Sequence, residues 1–304
     1  MFKVSRNNCQ GPLGLPNSAR IHPLDNGHKT EVLNFLAAHP LRTFIMTSCI
    51  NDNGLVSSFN RGTFYGFRAD HGRLEGVALI GDITLFDAEN DCALAAFARL
   101  TRACPTADVV LGRAERVDRF LSYYTQASVK PRLVCYELLL RNRSTANVET
   151  VASLRPATFN ELELVVPMHA QMAFEEKGVN PLEVDPVGFR QRCAHRIQQG
   201  RVWVAIEDGR LKFKANVVSE TPEVTYLEGV YVSPDHRGNG YGRRCLTQLT
   251  NHLLERTDSV CLLVNQKNTA AQACYRKARY QFHEYYDTLY LQQQQPPADS
   301  GLEP

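Results

Sequence analysis

The run from Val232 to Gly242, "VSPDHRGNGYG", followed at once by "RRCL", decides how this 304-residue chain is read. Glycines alternate at Gly238, Gly240 and Gly242, with Arg237 just before them and Pro234 three residues earlier. The preceding "VTYLEGVYV" is apolar and strand-like, and "GRRCLTQLTNHLLERT" has helical spacing. A strand that turns through glycines into a helix N-terminus builds an anion site. Free backbone N–H groups converge there, the helix dipole adds positive potential, and glycine lets the backbone come close to a phosphate. Arg237, Arg243 and Arg244 add charge around it. A Walker loop would need a lysine and a hydroxyl residue that are missing, and the dinucleotide fingerprint would need its third glycine one residue later.

The flanking sequence completes a pattern of elements. Upstream, "ATFNELELVVPMHAQMAFEEKG" opens with Thr158 and Glu161, a capping-box pair, and Pro167 is expected to kink or split its helix. "PVGFRQRCAHRIQQG" reads as a second helix, with proline at its start and glycine at its end. "RVWVAIEDG" and "RLKFKANVVSE" read as two strands joined through Asp208-Gly209, a hairpin signal. Downstream come the strand "SVCLLVNQ", the helix "NTAAQACYRKA" capped by Asn268, and a last strand "YQFHEYYDTLYL".

The first half offers a fainter copy of this order. "TFYGFRADHG", "RLEGVALIG" and "DITLFDA" read as strands, followed by the helix "DCALAAFARLTRA", the strand "DVVLG" and the helix "ERVDRFLSYY". The strand "LVCYELLL" is expected to complete it. At the place of the glycine run stands "DAENDCAL", with no glycine and no arginine, so an internal duplication with one decayed copy is inferred. The polar stretch Arg141–Thr150 separates the halves, giving domains at 1–145 and 150–292, and "QQQQPPADSGLEP" reads as a disordered tail over 293–304.

Composition narrows the function. A formal charge of +2 gives no global basic field for nucleic acid. No stretch approaches the roughly 18 apolar residues of a membrane span, and the N-terminal "MFKVSRNNCQGPLG" lacks the apolar core of a secretory signal. Nine cysteines without a CxxC pair or nearby histidines point to no metal site, and to a reduced, cytoplasmic compartment.

The segment V-x-P-x-x-R-G-x-G-x-G closely resembles the acyl-CoA pyrophosphate loop of GNAT-superfamily N-acetyltransferases. A second stretch, "LLVNQKNTAAQACYRKARY", resembles the later strand–helix motif of the same superfamily, with Asn265, Asn268, Ala271 and Tyr275 in register. The extra N-terminal domain resembles a bacterial group in which a degenerate GNAT-like region precedes an intact GNAT domain. The implied fold is α/β, with tandem GNAT-like domains, each a mixed, mostly antiparallel sheet flanked by helices. One departure is that Arg279 and Tyr280 follow the late helix, where the superfamily usually has glycine and an aromatic residue.

The resemblance implies direct transfer of an acetyl or other acyl group from acetyl-CoA to an amine, with both substrates bound together and no metal. The amine must lose a proton, the thioester oxygen must be stabilised, and the departing thiolate benefits from a proton. Tyr275 stands where these enzymes place a tyrosine near the sulfur. Main-chain N–H groups of Val230, Tyr231 and Val232 are expected to polarise the carbonyl, with Gly229 as a local bulge. Arg237, Gly238, Asn239, Gly240, Tyr241, Gly242 and Arg243 form the CoA loop, and Asn265 and Asn268 are candidate CoA contacts. Glu228, four residues before Val232, is expected on the same strand face and is the candidate base acting through water. Glu175 and Glu176 are candidates for the acceptor pocket. The acceptor is a small-molecule or protein amine, and the alternative is a non-catalytic acyl-CoA-binding regulatory module.

Overall fold

In a computed structural model of the chain, residues 20–124, 131 and 133–291 are described. The expected tail at 293–304 and the N-terminal "MFKVSRNNCQGPLG" lie outside the described residues. Two compact units emerge. The first comprises the chain up to Glu137 together with the residues from Tyr285 onward, and the second is Leu138–Glu284.

In the first unit β1 (Ile21–Pro23), α1 (Lys29–Leu36) and α2 (Pro40–Asn53) precede the elements expected from the sequence. Then follow β2 (Gly62–Arg68), β3 (Leu74–Gly81), β4 (Ile83–Ala88), α3 (Asp91–Ala103), β5 (Val109–Arg113) and α4 (Ala114–Tyr124). The strands β2, β3 and β4 form an antiparallel meander, and β4 lies parallel to β5. Phe67, Ile80, Leu94, Phe97, Val110 and Phe120 fill the core where α3 and α4 cover the sheet. Next, β6 (Leu133–Asn142) leaves the first unit for the second.

The second unit continues with β7 (Leu154–Pro156), α5 (Leu162–Lys177), α6 (Pro181–Val184), α7 (Pro186–Gln198), β8 (Val202–Glu207) and β9 (Arg210–Glu220). It closes with β10 (Thr225–Val232), α8 (Tyr241–Leu253), β11 (Val260–Asn265), α9 (Thr269–Lys277) and β12 (Gln281–Tyr290), whose end returns to the first unit. The strand order is β6-β11-β10-β9-β8-β7. Strands β10 and β11 run parallel, whereas β7, β8, β9 and β10 are antiparallel neighbours.

Local chemistry explains these elements. Asp208 and Gly209 sit at φ 52° and 68°, the left-handed pair that a tight β8–β9 hairpin requires. The α7 helix starts at Pro186, where the missing N–H costs nothing, and the Asp185 carboxylate accepts from the Gly188 amide at 2.9 Å. Helix α5 is not split at Pro167 and runs through it. The hydrogen bond that proline removes would end on Glu163, and both residues are exposed, so no apolar packing depends on it.

Two strands pass from one unit to the other. The strand "LVCYELLL" starts in the first unit, where Val134 packs on the core, and enters the second at Leu138, with Leu140 in that unit's core. The other is β12, where Tyr286–Tyr290 pair antiparallel with Arg113–Val109 and Leu289 and Leu291 enter the first unit's core. The apolar residues of the two strands decide the exchange. The polar stretch after β6 is held against α8. Asn251 of α8 bonds both backbone groups of Ala146, and Gln248 accepts from the Val151 amide at 2.7 Å.

The capping box is present. The Glu161 carboxylate accepts from the Thr158 amide at 2.6 Å and its hydroxyl at 2.8 Å, and pairs with Arg155 at 3.0 Å. Arg155 first, with Thr158, holds the Glu161 carboxyl down at about 2. Because the folded-state value is depressed, its contribution is complete above the ordinary carboxylate range and is lost as pH falls through about 5 towards 2. We expect Glu161→Gln to lower the unfolding free energy by about 1–2 kcal/mol at pH 7, with the difference shrinking towards pH 2. Urea unfolding of both proteins from pH 2 to 7 measures it.

Candidate active site

The site of the second unit starts from a defect in β10. Pairing with β9 slips by one residue between Tyr226↔Ser219 and Leu227↔Val217, runs on to Glu228↔Asn216, breaks at Gly229, and resumes at Tyr231↔Lys214 and Val232↔Phe213. Gly229 has φ 61°, the left-handed conformation that glycine adopts without a Cβ penalty, so the bulge expected there is present. The extra residue changes which face each later side chain takes. Glu228 stands across from Asn216 and Val232 across from Phe213, three residues apart on β9, so Glu228 and Val232 point to opposite faces. The sequence expectation of a shared face is thereby corrected.

The bulge coincides with a divergence of strands. The parallel pairing of β10 with β11 runs from Thr225↔Val260 to Leu227↔Leu262. From Glu228 to Val232, β10 pairs with β9 alone. The main chain of Val230, Tyr231 and Val232 thus borders an opening between β10 and β11.

At the end of β10 the glycine run forms a turn into α8. Arg237 donates from Nε to the Val232 carbonyl at 2.9 Å, which folds the loop back on the strand. His236 shares a 3.0 Å hydrogen bond with the Ser233 hydroxyl and lies against the Tyr241 ring, a role in loop shape. Gly238 and Gly240 have φ 80° and 82°, and a Cβ on either would meet no atom within 4 Å, so these positions open outwards. Gly242 is tight for another reason. A Cβ there would fall 2.6 Å from a methyl of Val232, so glycine is what lets α8 press against β10. The amides of Gly238, Asn239, Gly240, Gly242 and Arg243 donate to no group among the described residues, whereas the Tyr241 amide is held by the Asn239 side chain at 3.1 Å. Unpaired N–H groups at a helix start, with exposed Arg237 and Arg243 beside them, fit a pyrophosphate.

The other sequence candidates divide. Tyr241 is buried, and its hydroxyl donates to Glu207 at 3.0 Å, so its side chain serves the core and only its backbone faces the loop. Asn268 caps α9 through the Ala271 amide at 3.0 Å, and Asn265 accepts from the Lys267 amide at 2.9 Å. Tyr275 is buried between α9 and the sheet, and burial, then Cys274 and Glu176, push its phenol up. Glu228 is exposed and accepts a 3.1 Å hydrogen bond from the Tyr226 hydroxyl. Glu175 is turned to its own helix, accepting from Gln171 at 2.8 Å, while the charge of Glu176 reaches both Tyr275 and Lys214.

The last residue was missed by sequence reasoning, together with Asn216. Both sit on β9 and are buried, at 0% and 1% exposure. Their alternation with Phe213, Ala215 and Val217 was visible, and reads as a strand with one wet face. Here both faces are covered, since cross-strand neighbours Val202 and Val204 pack under α5 and α7. Burial, then Arg196, lowers the Lys214 ammonium to about 8, against the opposing pull of Cys193, Glu228 and Glu176.

The first unit keeps the strand divergence without the loop. Its β4 and β5 pair at Ile83↔Val109 and Thr84↔Val110, and a cavity of about 420 Å³ lies beyond, lined by Phe86, Asp87, Gly112 and Arg113 among others. Only Glu89 and Asn90 separate β4 from α3, and the Asn90 side chain takes the Ala93 amide at 3.0 Å.

A mostly antiparallel sheet flanked by helices, with one diverging parallel pair and a glycine turn feeding a helix, is a GNAT-like fold. Residues 168–279 match the family model described as the acetyltransferase (GNAT) family, and the second unit thus carries a GNAT domain. Over 90% of this chain and 99% of its own, a GNAT-family acetyltransferase from Colwellia psychrerythraea is similar in structure, at 13% identity and TM-score 0.55. A tandem GNAT protein from the clavulanic acid biosynthesis pathway matches over 88% of this chain and 97% of its own, at 11% identity and TM-score 0.57. A Drosophila protein matches over 90% and 98%, at 11% identity and TM-score 0.63. At such identities these likenesses concern the fold, which is GNAT-like in both units. No curated protein matches the sequence. Among the described residues, no helix is long and apolar enough to cross a membrane.

Lys214 gives a stability test. A lysine whose folded-state value is lowered favours the neutral form, so its protonation opposes folding below about 8 and that cost fades as pH rises from 8 to the ordinary lysine range. Lys214→Met is expected to raise unfolding free energy by about 1–3 kcal/mol at pH 7, with a smaller gain at pH 10. Denaturant unfolding at both pH values reads it out.

Proposed function

We propose that this protein is an acyl-CoA-dependent N-acyltransferase that moves an acetyl group from acetyl-CoA to an amine in a ternary complex. The observation that carries this reading is the set of unpaired amides at Gly238, Asn239, Gly240, Gly242 and Arg243, at the end of a strand whose parallel pairing stops at Leu227, just before Gly229. The loop amides with Arg237 and Arg243 would hold the pyrophosphate, and the amide groups of Asn265 and Asn268 lie at the next strand–helix junction. The bound thioester supplies an activated acyl carbon.

Main-chain groups of Val230 to Val232 at the opening would stabilise negative charge on an acyl oxygen. Tyr275, kept protonated by burial, holds a proton for a departing thiolate. Glu228 is the candidate acceptor of the proton from the amine, through water, and Glu176 adds negative potential that attracts a cationic amine. In sum, an ammonium and a thioester give an amide, a free thiol and one released proton.

One acyl-CoA site per chain follows from the contrast between units. The α3 terminus gives its Ala93 amide to its own Asn90 cap and carries Glu89 and Asp91, whose ion pairs with Arg73 and Arg119 already use the nearby positive charge, so it is a poor site for an anion. The buried thiols of Cys193, Cys245 and Cys261 support a reducing, cytoplasmic setting.

Gly240→Asp should set a carboxylate against the pyrophosphate and weaken acetyl-CoA binding by roughly 30-fold or more. Calorimetry on the variant, with circular dichroism to verify folding, measures this, and unchanged affinity would remove the loop from the site. Tyr275→Phe should slow thiol release about 10- to 100-fold while leaving acetyl-CoA affinity within about twofold. Binding of acetyl-CoA without thiol release on any amine would instead support a non-catalytic CoA-binding module.

A further inference from the structure

The bulge at Gly229 brings two buried polar groups together. A Cβ on Gly229 would lie 3.1 Å from Lys214 Nζ and 3.0 Å from Asn216 Nδ2, so both nitrogens converge over the one residue of β10 that has no side chain. Lys214 Nζ reaches only the Gly229 carbonyl, at a long 3.4 Å, and neither Nδ2 nor Oδ1 of Asn216 has a hydrogen-bond partner. Unpaired donors at this depth are costly, and a bound molecule that supplies the missing acceptors would account for them. The groups define that ligand. An ammonium and an amide N–H side by side suit a carboxylate, and Asn216 Oδ1 next to them calls for an N–H donor. Glu228, directly across the strands from Asn216, adds negative charge beside the same spot.

We propose that Lys214 and Asn216 are the specificity-determining floor of the acceptor site, and that the acceptor is an α-amino acid. Its carboxylate lies against Lys214 Nζ and Asn216 Nδ2, and its amine lies against Asn216 Oδ1 on the Glu228 side. This deepens the acyl-transfer reading and rests on it. In the reaction the amine nitrogen forms a bond to the thioester carbon, the carbon–sulfur bond breaks, and its electron pair leaves with sulfur. Of the two protons shed by the ammonium, one passes to bulk water by way of Glu228 and one ends on the thiol.

Charge around the floor sets a pH signature. Lys214 is faced by Arg196 and Cys193 of α7, by Glu176 of α5 and by Glu228 of β10, and without a bound anion it loses its proton near 8. A carboxylate favours the charged form, so binding takes up a proton, and affinity falls up to about tenfold per pH unit above 8.

The test uses the full chain and matched pairs of ligands: phenylalanine with phenethylamine, and lysine with cadaverine, along with further amino acids and the amines left when their carboxylate is removed. Two readouts are taken, calorimetry on CoA-loaded protein and thiol release with acetyl-CoA. We expect the amino acid of at least one pair to exceed its amine by about 100-fold in kcat/KM. Lys214→Met should cut that ratio to below about tenfold, with acetyl-CoA affinity unchanged, and Asn216→Leu should move it the same way. Amines that equal or exceed their amino acids, no amino acid binding to the CoA-loaded protein, or a Lys214→Met variant that loses both ligands alike would overturn the proposal. Lys214-dependent amino-acid binding without thiol release would leave the carboxylate floor standing and bring down the transfer reading, so the two failures are distinguishable.

Discussion

The second unit is organised by the left-handed turn of backbone at Gly229. Had β10 continued as a regular strand, Glu228 and Val232 would share a face; on the bulged backbone, a Cβ at Gly229 would crowd the place where Lys214 and Asn216 meet. The bulge does three things at once. It flips the alternation so that Val232 packs beneath Gly242 of α8 while Glu228 turns to the face covered by α5 and α7. It falls where β10 leaves β11, so the peptide groups beyond it border an opening rather than a ladder. It also leaves room for polar groups that no fully paired central strand could tolerate.

The close contact of α8 with β10 is a second constraint, and it depends on the first. A methyl of Val232 occupies the place of a Cβ on Gly242, so the helix N-terminus is pressed onto the strand end and its free amides are held at a fixed position. Tyr241, buried and bonded to Glu207, and the buried Cys245, Leu246 and Leu249 anchor the rest of the helix in the core. Rigid packing on one side and an eight-residue turn from Ser233 to Gly240 on the other is what separates this helix start from α3. There two residues make the connection, and a side chain from the protein itself takes the donor a ligand would need.

What could be read from the sequence was what is local. The glycine run, the Thr158–Glu161 cap, the Asp208-Gly209 hairpin and the Asn268 cap are each decided within a few residues, and all are present. The exchange of β6 and β12 was hidden because strand partners are chosen by distant apolar residues, here Leu140 for one core and Leu289 for the other. Arg279 was visible as a departure from the family pattern, but not its meaning. It sits at φ 66°, the conformation for which glycine is the usual choice, and the next residue, Tyr280, is buried with its hydroxyl 2.7 Å from Thr250. The helix exit therefore keeps its left-handed step and its aromatic anchor, at a conformational cost of about 1 kcal/mol for a non-glycine residue.

Lys214 and Asn216 were the harder omission, and their energetics explain why such residues mark a site. Burial of an ammonium and an amide without partners opposes folding, whereas Phe213, Ala215 and Val217 on the other face of the same strand bury apolar surface against α8. The strand is held by that second face, so the first is free to carry groups that are poor for stability. A valine or leucine pair at these positions would match the neighbours Val202 and Val204 and pack under α5 and α7. A polar pair there, over the one residue of the strand without a side chain, gains its hydrogen bonds only when a ligand supplies them. Its stabilising contribution is therefore shifted from the folded chain to the complex.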